Sequence, residues 1–178
     1  RPDVCVTDIR GNVDTRLEKL DAGEFDAIIL AESGLKRLGL DDRITHVIPH
    51  QVMLPAVGQG ALGIECRVED DDLRGILDLL CNRPSFLAVA AERSMLAELD
   101  GGCLAPVGAW ARFDGVDLVL NAVVLNATGT QRCDVESRCN MGDSPPGDLT
   151  VAMELGRQVA QELIQLGAAE YIKQSRSD

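Results

Sequence analysis

The sequence predicts an α/β segment followed by a small α+β domain. Short apolar stretches alternate with helical periodicities through residue 48, which is typical of a parallel α/β sheet. Three strand patterns then follow one another between residues 107 and 137, with a long helical pattern on either side. The chain has 178 residues, 46% of them hydrophobic, which is enough for one domain or for two small ones with a packed core.

The first segment contains three strand patterns and two helical patterns. The strands are predicted at residues 4–9, 27–30 and 45–48. The second of them, Ala-Ile-Ile-Leu, is typical of a strand that is buried on both faces. Asn12 is a suitable N-cap for a helix that ends at Ala22-Gly23. Ser33 is a candidate N-cap for a shorter helix over residues 34–38, which ends at Gly39.

A different kind of segment joins the two halves of the chain. Residues 49–60 hold two prolines and two glycines, and we interpret them as an extended crossing segment or hinge. A strand is predicted at residues 61–66 and a helix at residues 71–81. Gln59, between the two glycines, could present its amide to a ligand, although hinge geometry alone would also explain the glycines.

The C-terminal part is predicted to contain a helix, three antiparallel strands and a second helix that packs on them. The first helix begins at Asn82-Arg83-Pro84, because proline suits a first helical turn. Its predicted core side is Phe86, Val89, Ala90, Arg93, Leu96 and Leu99. The strands are predicted at residues 107–113, 116–126 and 131–137, with turns at Asp114-Gly115 and residues 127–129. The last helix covers residues 149–166, with a short helical tail after Gly167.

Charge and cysteine content restrict the class of protein. The net charge of −12 argues against nucleic acid as a partner. No Cys-x-x-Cys pair or zinc-like Cys/His spacing occurs among the six cysteines, so we expect free thiols in a reducing cytosol and no metal. No stretch approaches the roughly 18 apolar residues of a membrane span. The chain opens on Arg1-Pro2-Asp3 without an initiator Met, and we therefore expect a piece of a longer protein.

Three arginines are candidates for an anion pocket in this acidic chain. Arg10 lies where a predicted strand ends and a helix begins, which is where ligands bind in open α/β sheets. Arg16 lies in the same helix, and Arg37 ends the next one. A guanidinium group can bind a carboxylate or phosphate through two hydrogen bonds. The alternative is that each arginine is a solvated surface charge.

The loop Asp100-Gly101-Gly102-Cys103-Leu104-Ala105-Pro106 is the strongest candidate for covalent chemistry. Either glycine allows a positive φ, and both leave room beside the sulfur of Cys103. Pro106 restricts Ala105 to an extended conformation. A thiol on such a loop can be reached by a ligand, although a free Cys is more often a small buried hydrophobe. The other five cysteines lie in strand or helix patterns, and we interpret them as core or inert residues.

These motifs together resemble one family. The stretches that carry the resemblance are Arg10-Gly11-Asn12-Val13-Asp14-Thr15-Arg16-Leu17, Asp26-Ala27-Ile28-Ile29-Leu30-Ala31, Gly34-Leu35-Lys36-Arg37-Leu38-Gly39, Leu54-Pro55-Ala56-Val57-Gly58-Gln59-Gly60-Ala61, Gly63-Ile64-Glu65-Cys66-Arg67 and Ala91-Glu92-Arg93 leading to Gly101-Gly102-Cys103. In this order they resemble porphobilinogen deaminase, also called hydroxymethylbilane synthase. The resemblance runs from Arg1 to the last helix.

The resemblance implies a transferase of tetrapyrrole (heme) biosynthesis. The family joins four porphobilinogen units into the linear tetrapyrrole hydroxymethylbilane and releases ammonia at each addition. Its primer is a dipyrromethane cofactor, attached by a thioether to the residue that matches Cys103. By the same resemblance, the cofactor would be bound by Cys103, Arg10, Arg16 and Gly102, and the substrate by Arg10, Arg16, Arg37 and Gln59. The catalytic Asp of the family lies upstream of this sequence, so we expect no catalytic residue in it.

The resemblance also implies the domain organisation. Residues 1–56 would belong to a second domain like half of a periplasmic binding protein, and residues 57–81 would return to a first domain that this sequence lacks. Residues 82–178 would form the third domain, which carries the cofactor cysteine. The expected setting is a cytoplasmic or plastid monomer, with no membrane or nucleic-acid partner and little activity in the isolated chain. The alternative is a non-catalytic anion-binding or structural fragment.

Overall fold

The computed structural model describes residues 3–101, 105–142 and 148–175. The chain divides between Val47 and Ile48 into two compact units. The predicted alternation of elements lies in the first unit, and the predicted α+β domain lies in the second. Each unit has its own packing, so each is described separately.

The first unit is built on two helices and one short 3₁₀ turn. Helix α1 covers Val13–Asp21, helix α2 covers Glu32–Arg37, and the 3₁₀ turn covers Asp41–Arg43. The Asn12 side chain accepts a hydrogen bond from the backbone N–H of Thr15 at 3.0 Å, which confirms the predicted cap of α1. The predicted cap of α2 is wrong. That helix begins at Glu32, so Ser33 lies inside it, and Ala31 at the N-cap makes no side-chain bond.

The predicted parallel sheet does not form among the described residues of this unit. Residues 4–9, 27–30 and 45–48 make no strand ladder, and Val6 is 89% exposed. A strand is stable only when a neighbour satisfies its backbone N–H and C=O groups and covers its apolar side chains. These segments have the strand pattern without such a neighbour, so the pattern alone does not produce a sheet.

The second unit contains the predicted helix, three-stranded sheet and C-terminal helix. In chain order its elements are α3 (Asp71–Leu80), α4 (Arg83–Glu98), β1 (Val107–Asp114), β2 (Asp117–Leu125), β3 (Arg132–Asn140), α5 (Leu149–Gln165) and α6 (Ala168–Ser175). The sheet is antiparallel with the order β1-β2-β3. Gly115 has φ 62° in the turn that joins β1 to β2, which confirms the predicted hairpin.

The core of this unit lies between the sheet and the helices α4 and α5. Its fully buried side chains include Leu87 and Met95 of α4, Leu118 and Leu120 of β2, and Leu155, Val159 and Leu163 of α5. The two helices approach closely at Gly156. A Cβ atom there would collide with the backbone carbonyl of Ala91, so only glycine permits this packing.

The predicted core side of α4 is wrong except at Leu99, which follows the helix and is buried as predicted. Phe86 is 43% exposed, and the buried residues of the helix itself are Leu87, Ala88, Ala91, Glu92 and Met95. The sequence pattern was misleading because the correct side contains a glutamate, and a charge normally marks the solvent face. Glu92 is buried because two backbone N–H groups from other segments satisfy its carboxylate.

The segment before α4 is folded locally but not packed. Residues 61–66, predicted as a strand, make no strand ladder, and Leu62 is 83% exposed. Helix α3 forms where predicted, and none of its residues is buried. In the part of the chain that the structure describes, no helix is long and apolar enough to cross a membrane.

Candidate functional site

The C-terminus of α4 determines how the chain enters the Gly-Gly-Cys loop. The N–H of Asp100 donates to the carbonyl of Ala97 at 3.1 Å, and the N–H of Gly101 donates to Leu96 at 3.0 Å. These two bonds make a Schellman motif, which normally has glycine in its left-handed position. Here Asp100 occupies that position with φ 51°. Gly101 allows a positive φ, as any glycine does, but the left-handed position of this turn is Asp100.

The space beside Gly101 is limited by the side chain of Leu96. A Cβ atom at Gly101 would lie 2.6 Å from Cδ1 of Leu96, so the end of that flexible side chain would have to move. It would also lie 3.5 Å from Cβ of Ala105. The residues on either side of the loop are therefore neighbours. Gly102 and Cys103, the two candidates for cofactor binding in this loop, lie outside the described residues.

The exit of the loop is also held by hydrogen bonds. The carbonyl of Ala105 accepts from Val107 N–H at 2.7 Å, and the carbonyl of Pro106 accepts from Leu125 N–H at 3.0 Å. The loop therefore leaves a helix that packs in the core and returns directly to β1. In sequence, Cys103 therefore lies between two elements that pack in the core.

The three candidate arginines lie on or beside the helices of the first unit. Arg10 precedes the N-terminus of α1 and is exposed, and Arg37 is the last residue of α2 and is also exposed. Arg16 is half-buried, and its Nε donates to the carbonyl of Gly11 at 2.8 Å. That bond leaves the two terminal nitrogens of the guanidinium group as further donors. The convergence of these arginines on one anion stays a prediction.

Gln59 lies at the apex of two successive turns in the second unit. Its N–H donates to the carbonyl of Ala56 at 3.0 Å, and the N–H of Ala61 donates to Gly58 at 3.3 Å. Gly58 has φ 71° and Gly60 has φ 85°, so both glycines are required by the turn geometry. The Gln59 side chain is exposed, and its role as a substrate ligand stays a prediction.

Sequence reasoning did not identify Glu92 as a site residue. Its Oε2 accepts from Gly58 N–H and its Oε1 accepts from Ala111 N–H, each at 2.7 Å. Burial raises the pKa of the Glu92 carboxyl, against the opposite effect of these two hydrogen bonds. One signal was available. Ala88 and Met95 lie four residues before and three residues after Glu92, which is helical spacing, so a charged residue lies on an apolar side of the helix.

The remaining thiols have mixed environments. Cys133 is buried, as predicted, and its Sγ donates to the carbonyl of Leu166 at 3.3 Å. Burial raises the pKa of the thiols of Cys133 and Cys139. Cys5 and Cys81 are exposed, because their segments lack a packing partner, so neither is a core residue. The alternative that these two thiols are inert stays a prediction. Within residues 3–101, 105–142 and 148–175, no group of three or more His, Cys, Asp or Glu side chains could hold a metal ion.

Two family models match the chain in succession. The model described as "Porphobilinogen deaminase, dipyromethane cofactor binding domain" matches residues 1–75, and the one described as "Porphobilinogen deaminase, C-terminal domain" matches residues 86–165. The chain belongs to the porphobilinogen deaminase family. A curated porphobilinogen deaminase from Desulforudis audaxviator (strain MP104C) is 46% identical over 177 residues, which are 99% of this chain and 55% of that protein. The chain thus spans about half the length of this porphobilinogen deaminase.

Proposed function

We propose that the chain is part of a hydroxymethylbilane synthase that joins four porphobilinogen units with release of ammonia. The observation that carries the proposal is the order of the two family matches, with Gly101-Gly102-Cys103 inside the second. In this proposal Cys103 anchors a dipyrromethane by a thioether. The described residues next to it fit that role, because Gly101 and Ala105 lie side by side and are each tied to packed elements.

The charges of the candidate site fit a cofactor and a substrate that carry carboxylates. The chain is acidic overall, with a net charge of −12, yet the guanidinium groups of Arg10 and Arg37 are exposed. Arginine forms two parallel hydrogen bonds with a carboxylate. In the proposal, Arg10 and Arg16 bind the dipyrromethane, and Arg10, Arg16, Arg37 and Gln59 bind the substrate. Gly102 gives the cofactor room beside the sulfur.

The chemistry divides between the bound group and the residues of the chain. The dipyrromethane, when bound, supplies the pyrrole α-carbon to which the first unit is added. Each addition breaks the bond between the aminomethyl carbon and the nitrogen of porphobilinogen, forms a carbon–carbon bond and releases ammonia. The arginines hold the acetate and propionate groups, which makes each addition nearly unimolecular. The carboxylate that stabilises positive charge on the pyrrole is proposed to come from a part of the protein outside this chain.

The proposed domain organisation follows the family. Residues 1–56 would be part of a domain like half of a periplasmic binding protein, and residues 57–81 would return to a further domain of the same protein. Residues 82–178 would carry the cofactor. The exposed apolar side chains of residues 61–80 support this organisation, because a partner domain would cover them. We propose a monomer in the cytoplasm, or in a plastid, that works in heme biosynthesis without metal, membrane or nucleic acid.

The cofactor proposal is tested by intact mass of the full-length protein. We expect the wild-type protein to carry the added mass of two pyrrole units and to consume porphobilinogen, whereas Cys103→Ser carries no added mass. Cys81→Ser is the matched control, because Cys81 is exposed in another segment. A wild-type protein without the added mass, or a Cys103→Ser protein that retains it, would contradict the proposal.

The second candidate is a non-catalytic anion-binding or structural fragment. It is favoured by the share of the relative that the chain covers, 55%, and by the unpacked helix α3. The chain and the full-length protein should be assayed side by side for consumption of porphobilinogen. Equal activity per molecule would exclude the interpretation as a non-catalytic fragment. Activity in the full-length protein alone would favour that interpretation for the isolated chain.

A further inference from the structure

We propose that Glu92 is a positioning residue for the substrate site that contains Gln59. Its carboxylate holds the turn at residues 56–61 (the Gln59 turn) against α4 and β1, and it thereby determines where the Gln59 side chain is presented. The inference rests on the proposed function, because it assigns a role for that same substrate. It adds a residue that makes no contact with substrate itself and acts through Gly58.

The geometry of the carboxylate carries the inference. Glu92 lies in the middle of α4 and is 6% exposed. Each oxygen serves a different segment: Oε2 accepts from the N–H of Gly58, and Oε1 accepts from the N–H of Ala111 in β1, both at 2.7 Å. Short bonds of this kind to a carboxylate are about twice as strong as neutral ones. One side chain therefore joins a helix, a strand and the Gln59 turn.

The Gln59 turn is held just before its start and at Gly58. Directly before the turn, the carbonyl of Pro55 accepts from the N–H of Ala109 in β1 at 2.9 Å. A Cβ atom on Gly58 would lie 3.9 Å from the side chain of Val89, so Gly58 also lies against α4. The bond from Glu92 holds the residue that directly precedes Gln59. Loosening that bond would let the apex of the turn change position while the core beneath it stays packed.

Replacement of Glu92 by glutamine and by aspartate together separates this role from charge and size. A glutamine keeps the volume but has one acceptor oxygen, and its NH₂ group would face a backbone N–H, donor against donor. Glu92→Gln must therefore lose one of the two bonds. Glu92→Asp keeps the charge but is shorter by one methylene, so it tests whether reach or charge is required. Glu98→Gln is the matched control, because Glu98 is exposed on the same helix.

The experiment uses the full-length protein with its cofactor. We expect Glu92→Gln to speed amide exchange at Gly58 or Ala111. It should also raise the KM for porphobilinogen about tenfold, because a displaced Gln59 would lose one hydrogen bond to a charged carboxylate of the substrate. The kcat should fall less, and the cofactor mass should be unchanged. In a Gln59→Ala background the same substitution should raise KM much less, because Glu92 is proposed to act on the substrate only through Gln59.

Several outcomes would overturn the inference. One is a folded Glu92→Gln protein with wild-type KM and wild-type exchange at both amides. Another is faster exchange with an unchanged KM, and a third is an equal rise in KM in Leu155→Ala, which destabilises the core without touching the turn. If Glu92→Gln does not fold, Glu92→Asp takes its place under the same criteria. A wild-type protein without cofactor mass and activity would instead refute the proposed function, whereas amide exchange would still report on the Glu92 contacts.

Discussion

Helices α3 and α4 are consecutive in sequence and differ completely in burial. Each begins with a side-chain cap: Asp70 accepts from the N–H of Leu73 at 3.0 Å, and Asn82 accepts from the N–H of Ser85 at 3.0 Å. Both sequences have apolar residues at helical spacing. Helix α3 buries no residue, whereas α4 supplies five buried residues to the unit. Local signals are thus enough to form either helix, and tertiary partners alone decide which one contributes to the core.

The two helices should differ most in how much stability is lost when an apolar side chain is truncated to alanine. Met95→Ala in α4 should lower the free energy of unfolding by about 2–5 kcal/mol, because Met95 is fully buried. Leu79→Ala in α3 should change it by less than about 0.5 kcal/mol, because Leu79 is 85% exposed. Urea denaturation of the chain measures both. Equal losses would mean that α3 is packed in solution.

Two glycine-to-alanine substitutions should act in opposite directions, one lowering the stability of the core and the other raising the helix content of α3. Gly156→Ala should cost about 1–3 kcal/mol, because the new methyl group collides with the carbonyl of Ala91. Gly75→Ala in α3 meets nothing within 4 Å and should raise helix content, because alanine favours a helix by about 1 kcal/mol over glycine. Thermal unfolding and far-UV circular dichroism separate the two effects. Stabilisation by Gly156→Ala would contradict the close approach of α4 and α5.

Removal of either helix cap should have a smaller effect than the substitutions above. The two effects should differ in whether they spread through the unit or stay local. Asn82→Ala should lower the stability of the whole second unit by about 1 kcal/mol, because α4 belongs to its core. Asp70→Ala should speed amide exchange at Leu73 and its neighbours without a change in the global transition. Hydrogen exchange read out residue by residue is the measurement. Global destabilisation by Asp70→Ala would show that α3 unfolds with the core.

The smallest expected effect is a dependence on pH that arises from Glu92. Burial raises the pKa of this carboxyl in the folded state, so the native protein holds the proton more tightly than the unfolded chain. Its stabilising contribution is fully present below the ordinary glutamate pKa and is lost as pH rises through the folded pKa. The stability of the wild type relative to Glu92→Gln should therefore fall from acid to neutral pH. A rise instead would contradict the direction of the pKa shift of Glu92.

Local chemistry made most elements predictable from the sequence. Four features follow from residues within a few positions of each: the cap at Asn12, the start of α4 at Asn82, the hairpin at Gly115 and the end of α5 before Gly167. The parallel strands were predicted from apolar runs, yet a strand depends on its neighbour, and the described residues of the first unit provide none.

The candidate site was predictable from its motifs and not from its supporting contacts. Cys103 and the arginines were identified from the motifs in which they occur, and their roles stay predictions. Glu92 was missed because its burial depends on Gly58 and Ala111, which lie 34 and 19 residues away in sequence. A pattern along one helix carries no information about such partners. The same contacts explain why the core side of α4 was assigned wrongly.

The contacts of β1 also limit how the sheet can grow. On the side of β1 away from β2, Ala109 donates to the carbonyl of Pro55 and Ala111 donates to Glu92, so another chain would find these donors occupied. An added strand would have to pair with β3 instead. There Arg132 pairs with Asp134 at 2.8 Å, and charged side chains at a sheet edge discourage such pairing. The domain is thereby protected against edge-to-edge aggregation by different means on its two sides.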